Sequence, residues 1–326
     1  MKSIYLASLI LLSLISCVDN NNKNSYKQKS VGNINSLQVL ITGELWNGEV
    51  GEEIRKYFAA PAEGLPQEEP LFSIHQMDPS TFNGFIKSNR LFLHVTIGQE
   101  EKYTLVTDEY ARPQTGVIIT AKTKEGLVKL ISENQKEIIN AYYQSEIKER
   151  QKRTAISLKV IDSLKEYFGL TIKIPSAYRI AHKGKDFYWL RKDLKKTGST
   201  NIFIYDVAIE KITNDSLALG QLLTVVRDSI GGALLPVEDN GKFGTDYSYS
   251  PNFYVTELDG NIAYKTKGMW DIEDEFMAGP FVNYAVRDTT NNRYLIIEGF
   301  TFAPAERKRN LQFELESIIQ SAKIGK

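Results

Sequence analysis

The chain has 326 residues, 40 basic and 40 acidic side chains, three histidines and one cysteine. The even charge balance speaks against a polyanion partner such as nucleic acid. A single thiol excludes a disulfide framework and a Cys-based metal site. Hydrophobic residues make up 42% and aromatic residues 11%, enough for one large or two modest cores, and alternating runs rich in Tyr and Phe favour packed β-structure.

In chain order, Lys2 precedes an apolar run from Ile4 to Ile15 that ends in Leu14-Ile15-Ser16-Cys17. The run is shorter than the roughly 20 residues needed to cross a bilayer. A positive start, a short apolar stretch, a small residue and then cysteine is the layout of a lipoprotein signal. The expectation is a signal peptide over residues 1–17 and a membrane anchor through acyl chains on Cys17. Two or more such chains would hold firmly. Residues 18–35 are rich in Asn, Lys, Ser and Gln and read as a disordered tether. Val18, not Asp, follows the cysteine, which points to the outer membrane. No acidic run follows, which points to its periplasmic face.

The body begins with an expected strand over 37–42, a helix over 48–60, a loop over 61–70 and a strand over 71–77. Leu91 to Ile97 alternates cleanly, and 103–107 and 117–120 complete a first sheet. From Leu127 to Phe168 apolar residues recur at helical spacing, and Gly169 fits a C-terminal stop. The run Glu-Ile-Lys-Glu-Arg-Gln-Lys-Arg over 146–153 is densely charged. Two readings are equal here: one helix roughly 60 Å long, or two helices bent near Thr154. Beyond it come expected strands over 170–175, 187–191 and 202–207, a helix over 216–230 and a long loop over 231–252. Strands follow over 254–258, 262–265, 281–287 and 294–300, and a closing helix over 306–322.

Strands in runs with helices between the runs define an α+β class: two mainly antiparallel sheets with packed helices, joined by a long charged helical connector. The division expected is an N-terminal subdomain over 36–122, the connector over 123–168 and a C-terminal subdomain over 169–326.

The C-terminal half carries, in order, Asp186-Phe187-Tyr188-Trp189-Leu190-Arg191, Gly268-Met269-Trp270, Phe276-Met277-Ala278-Gly279-Pro280-Phe281, Glu298-Gly299-Phe300, Ala303-Pro304 and Lys308-Arg309. This resembles a Bacteroidetes lipoprotein family catalogued as domain of unknown function 4837, over about Val39 to Ile324. The resemblance implies an anchored protein of one fold and carries no activity. Where the family has Met-Gly-Gly-Pro-Phe, this chain has Ala278, so a positive φ is not expected there.

The densest patch of chemistry is Trp270 to Phe281. Trp270, Asp274, Phe276, Met277, Pro280 and Phe281 form a candidate binding surface, with the 231–252 loop beside it. Asp271, Glu273, Asp274 and Glu275 lack the spacing of a calcium loop, so no metal is assigned. Arg287, Glu298 and Arg309 form a candidate ion-pair or anion site, with Arg287 and Glu298 paired across adjacent strands. His75, His94 and His182 share no metal motif, and no nucleophile elbow, phosphate loop or dinucleotide fingerprint occurs. No catalytic residue and no cofactor is assigned. The leading expectation is a non-catalytic, lipid-anchored module that binds a partner protein or an envelope polymer. The alternative is an envelope hydrolase acting on peptide or glycan bonds through paired carboxylates among Asp274, Glu275 and Glu298. A third is a small-ligand carrier with a pocket between the two halves.

Overall fold

The structure, a computed structural model, describes residues 27–213, 219–235, 241–273 and 275–325. Cys17, the first part of the expected tether and Asp274 lie outside the described residues.

The N-terminal half is built on a five-stranded sheet. Its strands are β1 (Ser36–Leu40), β2 (Ser73–Met77), β3 (Leu91–Ile97), β4 (Lys102–Thr107) and β5 (Thr115–Ala121), in the spatial order β2-β1-β3-β5-β4. Helix α1 (Glu49–Phe58) crosses from β1 to β2 and allows those strands to run parallel. The β1–β3 and β3–β5 ladders are parallel too, and only the β4 edge is antiparallel. Mainly antiparallel pairing holds across the molecule, but this sheet departs from it. The crossover sequences between its strands supply the reason.

Helix α2 (Lys124–Thr154) starts at Thr123, whose hydroxyl accepts from Gly126 N at 3.1 Å, and has Glu125 in its first turn and Lys152 and Arg153 in its last. Leu127, Ile131, Ile138 and Tyr142, at spacings of four, seven and four, enter the same core as Val39, Leu93, Ile54 and Phe58. The helix is therefore a layer of the N-terminal half along about its first five turns. It ends at Thr154, and a separate helix α3 (Asp162–Phe168) follows, so of the two readings the broken helix is observed. Gly169 closes α3 at φ 61°, the left-handed position that favours glycine.

The C-terminal half is an eight-stranded antiparallel sheet. Its strands are β6 (Arg179–Lys183), β7 (Phe187–Asp193), β8 (Ser199–Ala208), β9 (Phe243–Thr245), β10 (Asn252–Leu258), β11 (Asn261–Ile272), β12 (Ala278–Asp288) and β13 (Arg293–Phe302). The order is β6-β7-β8-β13-β12-β11, and β9 and β10 pair with opposite ends of β11. Helix α4 (Leu219–Val226) runs into a π-helical turn over Arg227–Gly231, and helix α5 (Arg309–Ile319) closes the fold. The expected strand over 170–175 is two short pieces. Leu170–Thr171 pairs with Lys323–Ile324, and Ile174–Pro175 with Leu158–Lys159.

Alternation along these strands sorts side chains to two faces. Leu190, Ile202, Ile204, Val282, Leu295 and Ile297 pack under α5 as an aliphatic core. Phe203, Tyr205, Phe281, Tyr294 and Phe300 point the other way, into an aromatic core with α4 and β9.

Charged side chains are paired within each half and across the junction. Glu146 is fully buried and takes Arg90 at 2.5 and 3.0 Å, while Glu149 takes Arg153 at 2.8 Å. The charged run is thus largely engaged. Glu69 accepts from Lys308 N at 2.5 Å and Arg309 N at 3.2 Å, so a carboxylate of one half caps a helix of the other. Arg150 pairs with Glu314, and Gln151 donates to Ser317 O at 3.0 Å. Glu316 sits fully buried with Lys267 at 3.0 Å, Lys265 at 3.3 Å and the Tyr284 hydroxyl at 3.0 Å. Burial would raise its carboxyl, but the two ammonium groups outweigh that and hold it at about 2.

Candidate functional site

The aromatic face of the large sheet is incompletely covered. A cleft of about 280 Å³ remains between the strands and Leu235. Its floor is Trp270, Phe243 and Phe300: Phe243 stacks on Trp270 with centroids 5.1 Å apart, and Phe300 meets Trp270 edge-on at 5.6 Å. Trp189, on β7, forms one wall and is half-buried; its indole donates to Asn201 Oδ1 at 3.0 Å. Asn201 donates to Ser199 Oγ at 3.1 Å. Arg191 stands beside them, its Nε on Asp193 at 2.7 Å. Met277 and Glu275 close the opposite rim. Apolar ring faces with a few fixed polar groups are the make-up of a small-ligand site.

Below the floor lies a buried ion pair. Arg227, first residue of the π-helical turn, reaches Glu298 on β13 with Nε–Oε2 at 2.8 Å and Nη2–Oε1 at 2.7 Å, and its guanidinium lies 3.9 Å from the Phe281 ring centroid and 4.9 Å from that of Phe243. Asn283 Nδ2 donates to Glu298 Oε2 at 2.8 Å. Asp228 accepts from Arg227 Nη1 at 2.9 Å, from Thr245 at 2.8 Å and from Tyr247 at 2.9 Å. Burial disfavours the Arg227 charge, but Glu298 and then Asp228 reverse that and leave its pKa raised. A bidentate pair with every oxygen engaged is a rigid support and not a free acid.

This geometry relocates the candidate surface. Trp270 and Phe281 are each 1% exposed and Pro280 is buried, so these three are core and not surface. Both faces of the sheet are covered at that point, which buries both sets of alternating side chains. Phe276 alone stands fully in solvent, on the turn between β11 and β12, and Met277 lines the cleft. Asp274 lies outside the described residues. Ala278 has no positive φ. The next residue must be glycine: a Cβ on Gly279 would fall 1.9 Å from Thr301 O.

The Arg287–Glu298 pair does not form. In register Asn283 faces Glu298, whereas Arg287 faces Tyr294, four residues along. Arg309 is elsewhere again, at the start of α5, where Nη1 donates to Pro70 O at 2.6 Å and Nη2 to Ser73 Oγ at 3.2 Å. The carboxylates of the hydrolase alternative do not converge either. Glu275 is exposed at the rim and Glu298 is sealed under the floor. Asp271 has its carboxyl raised, first by burial and then by the charge of Asp246, but it does not line the cleft. Among the described residues no group of His, Cys, Asp and Glu is arranged to hold a metal ion, and no helix is long and apolar enough to cross a membrane. The interface between the halves is not fully packed. Hollows of about 630 and 360 Å³ share Ile139, Tyr143 and Lys267.

Sequence reasoning passed over Trp189, Asn201, Phe243 and the role of Arg227. The alternation Phe187, Trp189, Arg191 carried a signal for the first. The others meet the cleft through contacts between strands and layers, Asn201 with Trp189, Phe243 with Trp270 and Phe300, and Arg227 with Glu298 71 residues on, which no local pattern reveals.

Fold and site together define an α+β protein with an aromatic cleft on one face of a large antiparallel sheet. The chain belongs to the family described as domain of unknown function 4837, whose model matches residues 157–321. Residues 30–155 match a second family, domain of unknown function 8532, so the first family covers the C-terminal half and not the stretch from Val39. The two matched regions meet just beyond the end of α2. No curated protein matches the chain. The solved structure of the Saccharomyces cerevisiae Ran-binding protein Mog1p aligns at 10% identity with a TM-score of 0.33, over 48% of this chain and 89% of its own. A structure from Bacteroides thetaiotaomicron aligns at 15% identity with a TM-score of 0.21, over 48% of this chain and 45% of its own.

Proposed function

We propose that the protein is a non-catalytic binding module of the cell envelope, anchored through acyl chains on Cys17, on the periplasmic face of the outer membrane. Its ligand is an envelope polymer, taken by a ring-bearing group that enters the aromatic cleft. The observation that carries this reading is the wall made by Trp189, Asn201 and Arg191 above a floor of stacked aromatic rings. Flat apolar faces accept a sugar ring, and the amide and guanidinium at the edge meet its hydroxyl or acidic groups. The Phe276 side chain, fully exposed beside the rim, adds an apolar contact for the same polymer.

Two of the three tryptophans, Trp189 and Trp270, line the cleft, so intrinsic fluorescence reports its occupation. Soluble peptidoglycan fragments titrated into the full chain carrying Cys17→Ala should change that emission saturably. Trp189→Ala should abolish binding, measured by calorimetry, with the circular dichroism unchanged. Heat of binding that survives Trp189→Ala, or no binding of any envelope glycan, contradicts the assignment. The anchor is tested by labelled palmitate, which should enter the native chain and not Cys17→Ala.

A further inference from the structure

A second candidate lies at the junction of the halves and shares no lining residue with the aromatic cleft. A hollow of about 440 Å³ is lined there by Arg150 and Arg153 from the end of α2, Arg309 and Asn310 from the start of α5, and Ser73 and His75 from β2. Three guanidinium groups border this one space and no carboxylate does.

The nearby carboxylates are already engaged, two of them by arginines that border the hollow. Glu149 is taken by Arg153 at 2.8 Å and Arg90 at 3.8 Å. Glu314 is shared by Arg150 and Lys192. Glu69 is spent on the backbone of residues 308 and 309. Arg309 forms no ion pair among the described residues. Its side chain is held by neutral groups, Pro70 O at 2.6 Å, Ser73 Oγ at 3.2 Å and Asn310 Oδ1 at 3.1 Å. Arg150 retains a buried Nε with no hydrogen-bond partner among the described residues. A guanidinium fixed by neutral partners alone, as Arg309 is, and an unused donor on Arg150 cost free energy unless something anionic completes them.

We propose that this hollow is an oxyanion site for a phosphate group, held by the forks of Arg150, Arg153 and Arg309 with Asn310 and His75 at its edge. Guanidinium forks match phosphate oxygens bidentately, which lysines would not do. The volume exceeds that of bare phosphate, so a phosphate ester is accommodated. Because the site is built from both halves, its ligand would also brace them against each other.

The test uses the full chain carrying Cys17→Ala and inorganic phosphate as the probe, at constant ionic strength against chloride. The expected result is saturable binding by calorimetry, with a melting temperature that rises with phosphate concentration. Arg153→Gln, whose side chain is 37% exposed, should weaken binding about tenfold and keep the fold. Arg150→Lys should do the same while leaving the charge, which separates fork geometry from general attraction. A second arm offers vesicles of phosphatidylglycerol or phosphatidylcholine. Vesicle capture that phosphate displaces would assign the site to a lipid headgroup, and phosphate binding without vesicle capture would assign it to a soluble phosphate ester. Absence of saturable phosphate binding, or equal affinity in Arg153→Gln and the parent, overturns the proposal.

Discussion

The two faces of the large sheet are made by neighbouring residues of the same strands, yet they are finished differently. Ile202 and Ile204 point to one side, Phe203 and Tyr205 to the other. The aliphatic side is sealed by α5, whose Leu315, Ile318 and Ile319 are at most 1% exposed. The aromatic side is covered by α4, its π-helical turn and β9, and keeps a cleft. Buried carboxylates lie on both sides: Glu316 among lysines on the sealed side, Glu298 under Arg227 on the other. The sealed side is a packing surface. On the other side the polar pair, the π-helical turn and the stacked rings support a cavity, and π-helical turns recur at functional sites.

The comparison is broken most strongly at Glu298. Glu298→Ala leaves the Arg227 guanidinium buried beside Asp228 alone and should cost about 3–5 kcal/mol in urea unfolding. A cost below about 1 kcal/mol would mean that Asp228 suffices and the pair is not the support.

Glu316→Gln on the sealed side should cost less, about 1–3 kcal/mol, because Lys265 and Lys267 are 19% and 23% exposed and regain water. Its carboxyl lies at about 2, below its ordinary 4.5. A depressed carboxyl contributes stability that is full above 4.5 and is lost as the pH falls toward 2. The stability gap between the parent and Glu316→Gln should therefore close over that window, as followed by melting temperature against pH. A gap that stays constant down to pH 2 would contradict the lysine assignment.

Trp189→Ala, half-buried on the cleft wall, should cost about 1–2 kcal/mol and remove glycan binding. Phe276→Ser should change stability by no more than about 0.5 kcal/mol, since the ring touches solvent throughout, and should weaken binding to the polymer. A large stability loss for Phe276→Ser would show that the turn packs on something.

Much of the scaffold was legible. Periodicity located α1, the start of α2 and α5, and Gly169 marked the end of α3. The strands Leu91–Ile97 and Tyr294–Phe300 were plain because each alternates or is rich in β-branched and aromatic residues. Less legible was β11, where Lys265, Thr266, Lys267 and Gly268 dilute the pattern, although Lys265 and Lys267 are present to meet Glu316. β6 was missed because Arg179, His182 and Lys183 lie on an exposed edge, where burial does not select apolar residues. The candidate site was legible in part: the aromatic density around Trp270 lies at the corner of the fold that holds the cleft. The sequence could not tell that Trp270 and Phe281 are covered, because cover comes from α4 and β9. Nor could it find the partner of Glu298, because register and not residue type decides that Asn283 faces it and Arg227 reaches it from another layer.

The most direct test of the division between a packing face and a binding face is calorimetric titration of peptidoglycan fragments into two variants of the Cys17→Ala chain. Trp189→Ala alters the cleft wall, and Leu315→Ala alters the sealed side. The account predicts that Trp189→Ala loses binding while remaining folded, and that Leu315→Ala loses stability while binding with unchanged affinity below its melting temperature. Binding retained by Trp189→Ala would contradict it.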